Sequence, residues 1–202
     1  MLITFEGIDG CGKSTQISLL KEALEAEGRP VQLYREPGGS ELSEAIRELL
    51  LNSTDAIHPV AEILLFSAAR AQLVREKIEP ALEQGTIVIL DRFYDSTTAY
   101  QGYGRESLSL PDVEQLNRLA TNALEPDLTV YLKLSQKQAK ERLKQSSPDR
   151  MERAGDSFFE KVIRGYDELS KIHPRFLVVD ANRPVEVIHE EILAHVTAFR
   201  QP

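Results

Sequence analysis

Short apolar runs alternate with stretches of helical spacing along the whole chain. Leu2–Glu6 (LITFE) is apolar and ends at a glycine, and Ser14–Glu27 follows with Ile17, Leu20 and Leu24 at helical intervals. Val31–Arg35 predicts a second strand, and Glu41–Leu51 an amphipathic helix through Leu42, Ala45, Ile46, Leu49 and Leu50. A long helix is expected from about Val60 to Ile78, interrupted near Pro80, before Gly85 punctuates. Thr86–Asp91 (TIVILD) is β-branched and apolar, the pattern of a buried strand. Pro111 opens a helix to about Leu124, with Ser109 and Asp112 placed like a capping box. Leu128–Leu134 predicts the fourth strand, and Ser135–Gln138 caps a helix running to Lys144. Gln145–Gly155 is polar, holds Pro148 and has no apolar period, so it is expected to be a surface loop. A helix over Asp156–Ile172, a strand over Phe176–Val179 and a last helix from Pro184 complete the series. Short apolar strands separated by helices indicate an α/β protein with a parallel sheet covered on both faces.

Composition narrows this further. A chain of 202 residues, 42% hydrophobic and 28% charged, suffices for one domain with a large core. Neither a repeat nor a linker-like shift in composition divides it, so residues 1–202 are expected to form one domain. No run approaches the roughly 18 apolar residues of a membrane span, and the first residues enter a strand without a basic leader. The expectation is a soluble, unexported protein. The single cysteine excludes an internal disulfide framework and fits a reducing cytosol. A net charge of −8 with no basic run disfavours nucleic acid as a partner. Any phosphate handled here must meet positive charge concentrated locally.

Such a place follows the first strand. Gly7-Ile8-Asp9-Gly10-Cys11-Gly12-Lys13-Ser14 matches G-x-x-x-x-G-K-[ST], with Thr15 next. Glycines let consecutive N–H groups converge on a phosphate at the positive end of the following helix. Lys13 adds a full charge on the β/γ-phosphates of a nucleoside triphosphate, and the Ser14 hydroxyl can ligate Mg²⁺. Asp91, closing the buried strand, is placed like a carboxylate that holds Mg²⁺. Cys11 is either a small residue suited to the loop or a thiol whose oxidation would block ATP. The loop alone leaves GTPase, motor, chaperone ATPase and small-molecule kinase open, since function lies in the rest of the site. No Asn-Lys-x-Asp guanine motif occurs, whereas Arg35, Arg70, Arg92, Arg150 and Arg153 stand near strand ends or in the polar loop. Guanidinium groups neutralise the charge of a phosphoryl donor and acceptor.

Arg35-Glu36-Pro37-Gly38-Gly39, Leu65-Phe66-Ser67-Ala68-Ala69-Arg70, and Asp91-Arg92-Phe93 through Ser96, Tyr100, Gln101 and Gly102 follow in order. With Asp149-Arg150-Met151-Glu152 they resemble the thymidylate kinases, over residues 3 to about 184. The resemblance implies a P-loop sandwich with a five-stranded parallel sheet in order 2-3-1-4-5, and a small lid at about 145–155. It implies transfer of the γ-phosphoryl group of Mg-ATP to dTMP, giving dTDP and ADP, by a cytoplasmic homodimer. An apolar helix carrying Leu64, Leu65 and Leu73 would contribute to the interface. The donor would lie on Gly7 to Thr15, with catalysis by Lys13, Asp9, Arg92 and Arg150, and with Arg153 also on ATP. Gly10 follows Asp9, so the extra arginine would come from the lid, as in the bacterial type. The acceptor would also meet Glu36 and Pro37, with Arg47 reaching its phosphate, Arg92 bridging acceptor and transferred phosphates, and Asp9 either bonding the sugar 3′-OH or helping to place the magnesium. Phe66 and Arg70, four apart on one helix, would stack on the pyrimidine and donate to a base carbonyl. Thr97 and Gln101 would recognise the base, and Tyr100 would crowd the sugar 2′ position. Asn182-Arg183-Pro184 either receives the donor adenine or simply starts the last helix.

Two other readings remain. The nearer is another nucleoside or nucleoside-monophosphate kinase: a deoxynucleoside kinase could use Glu36 as a base toward a sugar hydroxyl, although the Pro37-Gly38-Gly39 turn and the Phe66/Arg70 pair favour a monophosphate acceptor. A nucleotide-driven switch would hydrolyse ATP with no nucleotide acceptor.

Overall fold

The computed structural model describes residues 1–54, 56–143 and 155–199. Its elements run β1 (Leu2–Glu6), α1 (Lys13–Ala26), β2 (Val31–Arg35), α2 (Glu41–Asn52) and α3 (Pro59–Leu73). A π-turn (Val74–Ile78), α4 (Glu79–Glu83), β3 (Ile87–Asp91), α5 (Tyr94–Thr97) and a second π-turn (Thr98–Gly104) come next. The chain ends with α6 (Leu110–Ala120), β4 (Leu128–Lys133), α7 (Gln136–Arg142), α8 (Asp156–Ile172), β5 (Phe176–Asp180) and α9 (Val185–Ala198). The expected lid, about 145–155, lies outside the described residues except for its last position.

All five strands are parallel, in the order β2-β3-β1-β4-β5. Side chains alternate across the sheet, so each inner strand feeds two cores. Ile3 and Phe5 of β1, with Ile87 and Ile89 of β3, pack toward Ile17, Leu20 and Leu24 of α1 and Ile188 and Ile192 of α9. Leu2, Val88 and Leu90 face the other way, onto Leu73, Val74, Ile78 and Ala81. β2 and β5, as edges, are only partly covered, which leaves Leu33 exposed.

The structure departs from the sequence reading at identifiable places. In α2 only Ile46 and Leu50 of the five apolar positions reach the core; Leu42, Ala45 and Leu49 are exposed, and Ser43 is buried instead because its hydroxyl donates to the Ala69 carbonyl of α3. The long helix does not stop cleanly near Pro80. It widens into the π-turn over Val74–Ile78, and α4 then starts with Pro80 in its first turn, where no N–H is needed. Helix α6 ends at Ala120, not Leu124, because Asn122 and Ala123 take left-handed conformations. Leu73 is fully buried in the core, so it is not available to an interface; Leu64 is exposed.

Candidate functional site

The sheet order reverses at β1, whose neighbours are β3 and β4, and a crevice opens beyond the carboxyl ends of the strands at such a point. The segments after β1, β2 and β3 meet there. Gly7 has φ 135°, and a Cβ on it would lie 2.6 Å from the Leu132 carbonyl oxygen of β4, so only glycine lets the loop leave the sheet here. The turn ends with Gly12, also left-handed, as the N-cap of α1. Lys13, at the first turn of that helix, folds back over the loop: Nζ donates to the Gly7 carbonyl at 3.2 Å and lies 3.8 Å from Asp9 Oδ1. Cys11 is 2% exposed and packs in the core against β1, which favours a small fitting residue over a reactive thiol.

Arg92 follows β3 with φ 71°, a strained conformation for a side chain of this size. Its guanidinium is heavily engaged. Nη2 donates to Asp9 Oδ1 at 2.7 Å and to the Tyr100 hydroxyl at 3.4 Å; Nη1 donates to Ser96 Oγ at 3.2 Å and the Tyr166 hydroxyl at 3.4 Å. Burial would raise the Asp9 pKa, but Arg92, Lys13 and Arg47 outweigh it and hold it at about 2. Behind this group stands Glu6, the last residue of β1. It is fully buried and accepts from Phe93 N at 2.8 Å, Ser96 Oγ at 2.6 Å and the Tyr166 hydroxyl at 2.9 Å. Burial first, and then the neighbouring Asp95, push its carboxyl up to about 7.

After β2, the turn that begins at Glu36 is held by Glu44 of α2, which accepts from Gly39 N at 2.8 Å and pairs with Arg35 at 3.1 Å. Glu36 Oε2 takes both Nε and Nη2 of Arg70 at 2.7 Å, and both residues are buried. Arg47 of α2 reaches the same turn and donates to the Pro37 carbonyl at 2.9 Å.

Two adjoining recesses result. One is lined by Asp9, Gly10, Gly12, Lys13, Ser14, Thr15, Arg47, Asp91 and Arg92; the other by Glu36, Pro37, Phe66, Arg70, Thr97, Tyr100 and Gln101. Asp9, Glu36, Arg47 and Arg92 belong to both. The expected donor and acceptor residues thus fall on either side of one shared charged seam. Gly7, Ile8 and Cys11 support the loop from below without lining either recess. Arg150 and Arg153 lie outside the described residues. Pro184 is the N-cap of α9, and Arg183 is engaged by the Asp180 carbonyl and Glu191, the arrangement of a helix start.

The Mg²⁺ expectation meets a suitable feature. Asp91 Oδ1 is buried with no hydrogen-bond partner among the described residues, and Asp91 shares a recess with Ser14. Among the described residues no group of three or more His, Cys, Asp or Glu is placed to hold a metal.

Sequence reasoning missed Glu6, Glu62, Tyr166 and Arg142. Arg142 of α7 donates to the Gly10 carbonyl at 3.3 Å and to Ala181 O at 2.8 Å, tying the phosphate loop to the turn after β5. For Glu6 a signal existed: a carboxylate ending an otherwise apolar strand.

Comparison with known proteins agrees with this geometry. A model of the thymidylate kinase family matches residues 5–192. The thymidylate kinase of Chlorobaculum parvum is 47% identical over 100% of this chain and 98% of its own. That of Chlorobium luteolum is 50% identical over 96% and 95%, and that of Thermoanaerobacter sp. (strain X514) 44% over 98% and 97%. With likeness of this degree running nearly end to end, the chain belongs to the thymidylate kinase family.

Proposed function

We infer that this chain transfers the γ-phosphoryl group of ATP to dTMP, producing dTDP and ADP. The observation that carries the inference is the pair of recesses joined at Asp9, Arg47 and Arg92, one built on the phosphate loop and the other on an aromatic and polar wall. Two anionic nucleotides can meet there only if cations lie between them, and those cations are fixed in place by the protein.

The acceptor atom is a phosphate oxygen, already anionic at neutral pH, so no general base is required. Catalysis rests on alignment and neutralisation of charge. Loop N–H groups and Lys13 hold the donor β- and γ-phosphates; Arg92 spans transferred and acceptor groups, pre-oriented by Asp9, Ser96 and Tyr166. Arg47 meets the acceptor phosphate, and Asp9 its sugar hydroxyl. Phe66 covers the pyrimidine face, Arg70, Thr97 and Gln101 take its edge, and Tyr100 closes the sugar 2′ side. Mg²⁺, held through Ser14 and Asp91, would neutralise charge on the donor phosphates. Arg150 and Arg153, outside the described residues, would supply the extra arginine charge of the bacterial type during transfer. The same reading carries a homodimer in the cytoplasm.

An ADP-release assay with Mg-ATP and dTMP, dUMP, thymidine, CMP or AMP tests this. Turnover with dTMP, and almost none without acceptor, is expected. ATP consumption indifferent to every acceptor would establish a switch instead, and turnover with thymidine alone a nucleoside kinase.

A further inference from the structure

Gln101 is 2% exposed and lines the acceptor recess, yet its amide is not free to rotate. Its Nε2 donates to Glu62 Oε1 at 2.9 Å, and Glu62, on the first turn of α3, is itself 1% exposed. The same Glu62 oxygen takes Arg105 Nε at 3.4 Å. A carboxylate can only accept, so the nitrogen of the Gln101 amide must face Glu62 and its oxygen must face away. That oxygen has no donor among the described residues and is not among the buried, unpartnered atoms, so it is left to the recess.

The neighbouring reader is fixed in the same manner. Arg70 is anchored by Glu36 on two nitrogens and by Asn117 Oδ1 at 3.4 Å on the third, and a guanidinium can only donate. The recess therefore offers a donor beside an acceptor. A pyrimidine with a carbonyl at position 4 and N3–H satisfies both. A cytosine presents the reverse, an amine and a bare N3.

We propose that Glu62 is a specificity-determining positioning residue: it locks the Gln101 amide so that the site accepts N3–H pyrimidines and rejects cytosines. This rests on the acceptor-recess reading above, but it concerns base selection and not phosphoryl transfer. Sites built to hydrogen-bond a substrate group reject analogues lacking it because buried polar groups are left unpaired.

The test uses the purified full chain titrated calorimetrically, without ATP, with dTMP and with 5-methyl-dCMP, which differ only at the base edge. In Glu62→Gln either amide of the pair can turn, so the preference for dTMP over 5-methyl-dCMP is expected to fall about 10- to 100-fold. In kinetics the loss should appear in KM for dTMP more than in kcat. Arg105→Ala breaks the same ion pair but keeps the acceptor, and should retain the preference. The exchange Glu62→Gln with Gln101→Glu keeps the buried hydrogen bond and turns only acceptors to the recess; it should restore the preference even if the single variant folds poorly. An unchanged ratio in Glu62→Gln, an equal loss in Arg105→Ala, or no recovery in the exchange would overturn the proposal. A wild-type chain that prefers dTMP but does not phosphorylate it would refute the transfer reading alone; one with no preference would refute both.

Discussion

Glu6 and Asp9 lie three positions apart, and their surroundings move their acidities in opposite directions. Glu6 is buried beside Asp95, so its carboxyl rises to about 7; Asp9, half-buried and partly desolvated, is nevertheless held at about 2 by Arg92, Lys13 and Arg47. For Glu6 the folded state binds the proton more tightly than the unfolded chain, so its contribution to stability is complete below its ordinary value of 4.5 and is lost as pH rises to about 7. For Asp9 the sign reverses: stability is present above 3.8 and lost as pH falls toward about 2. In Glu6→Gln, melting curves between pH 4.5 and 7 should therefore show Tm rising relative to wild type as pH increases, at about 2–4 °C per kcal/mol for a chain of this size. A Tm difference that does not move with pH would exclude Glu6 as the group responsible. Lys13→Ala removes the charge at the donor phosphates. It is expected to lower kcat about 10²–10³-fold, the usual cost of one preorganised electrostatic contact, while dTMP titrations without ATP change little.

At the level of elements, the second π-turn is the least foreseeable and among the most consequential. Thr98–Gly104 bulges so that Tyr100 and Gln101 reach the recess while the turn packs against α8. A Cβ on Gly104 would sit 2.6 Å from the Phe158 ring and 3.0 Å from Val162, so Gly104→Ala must push the turn off α8. A loss of about 1–3 kcal/mol in denaturant unfolding is expected, with a raised KM for dTMP because Gln101 moves with the turn. Retained stability and KM would mean that α8 yields freely. For Arg150, outside the described residues, the proposed role in transfer predicts that Arg150→Ala cuts turnover far more than dTMP affinity, which single-turnover kinetics and titration can resolve. The elements themselves were readable because periodicity is local. Ile17, Leu20 and Leu24 announce α1, and TIVILD announces β3. The π-turns were not, since widening a helix depends on neighbours far away in sequence.

For the whole molecule, α2 and α3 leave Leu42, Leu49 and Leu64 about half exposed. The proposed homodimer would cover such exposed apolar side chains where a second copy packs on these helices. Sedimentation equilibrium should give twice the chain mass, and Leu64→Glu should return the monomer mass without loss of helix content. A monomeric wild type would remove the homodimer from the functional reading. Among the described residues no helix is long and apolar enough to cross a membrane.

Amino-acid order alone determined the alternation of strands and helices, the phosphate loop and the ordered set of arginine and aromatic segments, because each is written in residues close together along the chain. Tertiary structure decided how those segments are aimed. Glu6 holds Ser96 and Tyr166, which hold Arg92; Glu36 anchors Arg70; Glu62 turns Gln101. Each of these carboxylates meets its partner dozens of positions away, and a buried carboxylate that finds its donor only after the sheet has closed leaves no periodic trace in the sequence.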